Sequence, residues 1–171
     1  MQEALINLDD LDAKIPKRSG LYAIFIKDKK SLPESFAGYL AQADTNLIYI
    51  GKASQSLHER LYEQDLRHKS PSTFFRSIGA ILSYRPAVGS LVKKRNQNNY
   101  KFTKEDTEKI IDWIDENLYV SWQAIGQPSK FEKKLIKQLC PIINIKHNPK
   151  KLEELVAFRK KCLDIARNRE K

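Results

Sequence analysis

Lys52 and Arg60 flank a junction at which chemistry on an anion is easily arranged. The stretch from Leu47 to Arg60 opens as a short apolar run rich in β-branched and aromatic residues. It is bounded by Gly51, the pattern of a buried strand. The spacing predicts a turn at Gly51 and a helix from Ser56, with Ser56 and Glu59 at capping-box distance. Backbone N–H groups at that helix start, with Lys52 and Arg60 beside them, would converge on a phosphate. Strand-turn-helix units with a Lys and an Arg are common, so this junction alone is equally a solvated surface.

An earlier strand, Ser19 to Ile26, carries Gly20-Leu21-Tyr22, and the later one carries Tyr49-Ile50-Gly51. With both tripeptides in this order the chain resembles the GIY-YIG endonuclease superfamily. The resemblance implies two neighbouring antiparallel strands, an Arg on the following helix, a metal-binding Glu on a later helix and an Asn beyond it. The matching positions are Tyr22, Tyr49, Gly51, Lys52, Arg60, Glu132 and Asn144. Several family members place a Tyr or His one turn after the Arg. Here that position holds Gln64, and His68 and Tyr62 are the substitutes within reach.

The implied function is metal-dependent endonucleolytic hydrolysis of DNA, with RNA kept open as a substrate. Tyr22 would act as general base, oriented by Tyr49, and nearby positive charge would lower a phenol that ordinarily titrates near 10. Arg60 would clamp the scissile phosphate through its planar fork. Glu132 would hold one Mg2+ or Mn2+, and Asn144 would position Glu132 or the backbone around it. A module that keeps the fold and binds nucleic acid without cutting is the alternative.

Composition agrees with a polyanionic partner. The chain has 171 residues and 41% hydrophobic content, enough for one domain with a real core. Lys and Arg number 31 against 21 Asp and Glu, a net charge of +10. Cys140 and Cys162 lack metal-ligand spacing and suit reduced core thiols. No run is apolar for membrane length and no signal-peptide pattern opens the chain, so a soluble, cytoplasmic protein is expected. Oligomeric state leaves no trace in the sequence.

These groups need elements to hold them, and the patterning predicts an α/β (α+β) fold, a small antiparallel three-stranded sheet flanked by helices. The expected core spans about 18–146, and a basic C-terminal helix spans about 149–168. Leu5, Leu8 and Leu11 have helix-like spacing before Ile15-Pro16. Strand one, about Gly20 to Lys27, puts Tyr22 with Ile24 and Ile26, and Tyr22 could stand on the open side. Phe36 and Leu40 predict a short helix on the sheet edge. In a helix from Ser56 to His68, Arg60, Gln64 and His68 share one face.

Ser70-Pro71 predicts the next helix start, with Arg76 turned away from a core face of Phe74, Phe75, Ile78, Ile81 and Leu82. Arg76 is therefore a candidate phosphate contact. Residues 84–101 lose periodicity, and Lys93, Lys94 and Arg95 could follow a phosphate backbone while Tyr100 meets a base. Thr103 caps a helix to about Asn117, and Tyr119 to Ile125 alternates as a third strand. The helix Ser129–Leu139 carries Glu132 beside Phe131, Leu135, Ile136 and Leu139. Ser129 and Glu132 stand at capping-box spacing, a purely structural use for that carboxylate. Asn148-Pro149 opens the last helix, with Leu152, Leu155, Val156 and Leu163 inward. Lys150, Lys151, Arg159, Lys160, Arg167 and Arg169 form its outer face.

Overall fold

The computed structural model describes residues 10–169, so Leu5 and Leu8 lie outside the described residues. Leu11 is fully buried in the single turn α1, Leu11–Lys14. Three strands, β1 Gly20–Ile26, β2 Leu47–Ala53 and β3 Leu118–Ala124, form an antiparallel sheet in the order β2-β1-β3. The remaining helices are a 3-10 turn Lys29–Ser31, α2 Glu34–Gln42, a π-helix His58–Leu66, α3 Thr73–Ile81, α4 Lys104–Asn117, α5 Pro128–Leu139 and α6 Glu153–Ala166.

Register explains the tyrosines. Tyr22 pairs with Gly51 and Ile24 with Tyr49, so the two tyrosines are diagonal neighbours on one face, their rings 6.3 Å apart. Gly51 is a strand residue and the turn comes after Ala53, because the Tyr22 ring lies over it. A Cβ at Gly51 would collide with that ring, and one at Gly20 with the Gln123 carbonyl and Leu57. The pairing slips between Ile24 and Phe25, and this bulge turns both Ile48 and Tyr49 toward the main core. Tyr22 is therefore not on an open side: it is 1% exposed.

The main core gathers Tyr22, Ile24, Ile26, Tyr49 and Val120 with side chains from α1, α2, the π-helix, α3, α4 and α6. On the other sheet face, Ala23, Leu47 and Ile50 meet Ile136 and Leu135 of α5. Phe131 and Leu139 of α5 are exposed.

Two helix starts differ from the spacing. Ser72, not Ser70, caps α3, accepting from the Phe75 N–H at 3.0 Å. The last helix begins at Glu153, and Asn148 instead holds a turn, its Oδ1 accepting from the Lys150 N–H at 2.8 Å. Its amide donates to the carbonyls of Pro141 and Asn144, both at 2.9 Å. Thr103 caps α4 as the pattern predicts. Cys140 and Cys162 are outside any disulfide, Cys162 buried and Cys140 half-buried. Among the described residues, no helix is long and apolar enough to cross a membrane.

Candidate active site

Helical hydrogen bonds that skip five residues decide which side chain lies beneath Arg60. In the π-helix the Arg67 N–H reaches back to the Tyr62 carbonyl at 3.0 Å. The wider turn brings Asp65, and not Gln64, beneath Arg60. Asp65 is fully buried and accepts from three donors: Tyr22 Oη at 2.5 Å, Ser72 Oγ at 2.7 Å and Arg60 Nη1. Gln64 points away and donates to the Pro71 carbonyl at 2.5 Å.

Electrostatics follow from this burial. Desolvation raises Asp65, and its three donors pull the other way. Burial pushes Arg60 down, but Asp65 and the two phenols outweigh it and the guanidinium is held more firmly charged than usual. Tyr22 is pushed well above its ordinary value by burial and then by Asp65, with Arg60 opposing. Tyr49 is raised for the same reasons, and the Glu132 carboxylate adds to the effect. The cations thus do not bring the Tyr22 phenol down, as expected from the sequence. It stays protonated and donates to Asp65.

A cleft of about 710 Å³ opens beside this network, lined by Tyr49, Lys52, Arg60 and Glu132. Tyr22 is not on its wall. The phenol on the cleft wall is Tyr49, with Tyr22 behind it. Lys52 donates to Ser129 Oγ at 2.8 Å and its ammonium lies 3.6 Å from Glu132 Oε2. Ser129 is already inside α5, whose start at Gln127 carries no side-chain cap. Glu132 is therefore not a helix cap; its side chain, 17% exposed, is aimed at Lys52.

Asn144, 6% exposed, also lines the cleft but does not position Glu132. Its amide accepts from the Ile50 N–H and donates to the Ile50 carbonyl, both at 2.9 Å. It fixes the backbone between Tyr49 and Gly51.

Other expectations fail for identifiable reasons. The N–H groups at the π-helix start are taken by Arg18 and Pro16 carbonyls and by Ser56 Oγ, so they bind no phosphate. His68 stacks on Phe75 with centroids 4.2 Å apart, and both ring nitrogens are buried without a partner. Burial, then Arg76 and Lys101, lower it to about 4, and it has no contact with the Asp65 network. Tyr62 holds Arg67 over its ring and is not at the cleft either. Arg76 is buried rather than turned to solvent, 5.6 Å over the Tyr100 ring. Tyr100 is 1% exposed and cannot stack on a base.

Lys93, Lys94 and Arg95 are exposed beside a separate cleft of about 380 Å³ to which Lys94 and Arg95 contribute. Their loop is tied to the end of α6, where Gly89 and Leu91 N–H groups donate to the Ile165 and Ala166 carbonyls.

The donor set suits a hard cation held mostly by water and substrate. Among the described residues, Glu132 is the one carboxylate lining the cleft, and no three His, Cys, Asp or Glu side chains cluster to hold a metal. Mg2+ is commonly bound through one or two carboxylates plus phosphates, so a single Glu fits it.

A family model described as the GIY-YIG catalytic domain matches residues 20–161. No curated protein and no solved structure matches the chain.

Proposed function

The chain belongs to the GIY-YIG catalytic-domain family, and from that premise we propose that it is an endonuclease that hydrolyses phosphodiester bonds in DNA. The observation that carries this reading is the convergence of Tyr49, Lys52, Arg60 and Glu132 on one cleft, with Asp65 buried behind them.

Arg60 would receive the scissile phosphate. With Nη1 committed to Asp65, the remainder of its fork is what the cleft presents. Tyr22 and Ser72 hold Asp65, so the guanidinium is oriented before substrate arrives. Tyr49, whose phenol stays protonated, would hold and aim the attacking water. The water's proton passes to solvent as its oxygen bonds to phosphorus, and the leaving oxygen takes a proton from solvent as it departs. Lys52 would add positive charge beside the phosphate. Glu132 would hold a divalent cation, Mg2+ or Mn2+, which when bound neutralises charge developing on the phosphate.

Supercoiled plasmid incubated with Mg2+ or Mn2+, against EDTA, tests this directly. The expected result is metal-dependent nicking that falls by roughly 10² or more in Glu132→Gln, while fold and duplex binding persist. A single-stranded RNA arm reports substrate range. Binding without nicking under any metal would overturn the nuclease reading and leave a nucleic-acid-binding module.

A further inference from the structure

The cleft does not end at Glu132. Its far wall is the α6 face Val156, Arg159, Lys160 and Leu163, with Lys146 and His147 beside it. That face spans two helical turns, about 10 Å at 1.5 Å per residue. A single nucleic-acid strand rises about 3.4 Å per phosphate, so the wall is long enough for about three consecutive phosphates.

Among the described residues, Arg159 and Lys146 on this wall, and Arg76 behind it, lack an internal counterion. Arg159 Nη1 reaches only a hydroxyl, Ser77 Oγ, at 3.4 Å. Behind it Arg76 is 6% exposed, with Nε and Nη1 buried and without a hydrogen-bond partner. Among the described residues no carboxylate is paired with Arg76, Arg159 or Lys146; Lys160 is paired with Asp164 on its own helix. Burial and then the nearby Arg159 charge disfavour the charged form of Arg76. Unpaired guanidinium in a fold is expensive, and an external anion is its natural partner.

We propose that this arm of the cleft is a second phosphate-binding site, formed by Arg159, Lys146 and Lys160 with Arg76 behind Arg159. It seats the strand backbone on one side of the bond being cut. Val156 and Leu163, on either side of Arg159 and Lys160 along α6, supply apolar surface for sugar. The identity of the strand rests on the nuclease reading; the missing counter-charge does not.

Fluorescence anisotropy in EDTA, with a short fluorescein-labelled DNA duplex and its single strand, measures binding apart from cutting. The pair Lys146→Ala/Lys160→Ala, both exposed and so harmless to folding, is compared with Lys29→Ala/Lys30→Ala, which removes equal charge elsewhere. The cleft pair is expected to weaken binding about tenfold and to flatten the slope of log affinity against log salt by about two. Arg159→Ala is expected to flatten it by about one. The control pair should leave both quantities unchanged. Equal losses in the two pairs would overturn the second site and leave the nuclease reading intact. A wild-type protein that binds neither probe at low salt would overturn both.

Discussion

Arg60 and Arg76 are both drawn into the protein, and the fold treats them in opposite ways. Arg60 meets a buried carboxylate that is itself satisfied by Tyr22 and Ser72. Arg76 meets the face of Tyr100 and a second arginine. The first arrangement is internally neutral, so its geometry is fixed whether or not a ligand is present. The second leaves positive charge unmatched, which costs stability until an anion arrives. Orientation is organised around Arg60, and attraction around Arg76.

Breaking the neutral arrangement should have the largest effect. Asp65→Asn keeps the shape and removes the charge, leaving Arg60 without its counterion. Unfolding in urea is expected to show a loss of about 3 kcal/mol, and plasmid nicking should fall with it. A loss under about 1 kcal/mol would mean that Arg60 does not depend on Asp65. Tyr22→Phe removes one of three donors to the same carboxylate and should be milder, about 1–2 kcal/mol. Nicking then drops less than in Tyr49→Phe, since Tyr22 stands behind the cleft. The reverse ranking would make Tyr22, and not Tyr49, the phenol that matters to the attacking water.

The other arginine gives a change of opposite sign. Arg76→Met fills similar space without charge, and stability is expected to rise by about 1 kcal/mol. A fall of that size would show that Arg76 is matched after all. The smallest effect concerns His68, which packs against the same region. Its folded pKa of about 4 lies below the ordinary 6.5, so its stability contribution is present above 6.5 and is lost as pH falls through 4. His68→Phe should flatten the decline in urea midpoint across that window; an unchanged decline would assign it to other groups.

How far the sequence could be read follows from these same residues. The two tripeptides and the patterns of the three strands are visible because each rests on local residue order, and Arg60, Glu132 and Asn144 follow from the family resemblance that the tripeptides carry. Asp65 is not legible in this way. An α-helical count puts Gln64 beneath Arg60, and nothing in the pattern announces a turn wide enough to substitute its neighbour. The available hint was a carboxylate within one turn of the Arg in a helix otherwise short of apolar residues.

Arg76 was assigned outward because Phe74, Phe75 and Ile78 define a face. In the folded chain α3 is buried from Phe74 through Ile81, on every side, so a facing argument has no meaning there. The cleft wall on α6 escapes for a related reason: Val156 and Leu163 have core spacing, and Leu163 does pack against the core, yet both also share the cleft wall with Arg159 and Lys160.

The strand that carries Tyr49 is at the margin of its sheet. Exposed strand margins invite pairing with other chains and, from there, aggregation. Here the Ile143 N–H bonds to the Ile48 carbonyl at 3.0 Å, and the Asn144 amide closes over Ile50 from the same side. The side chain behaves as a one-residue counterfeit strand, meeting both main-chain groups of Ile50 while adding no further edge. Asn144 thus covers this edge as well as aligning it: its loss would uncover unpaired main-chain groups, a template for self-association, on a strand that also lines the cleft.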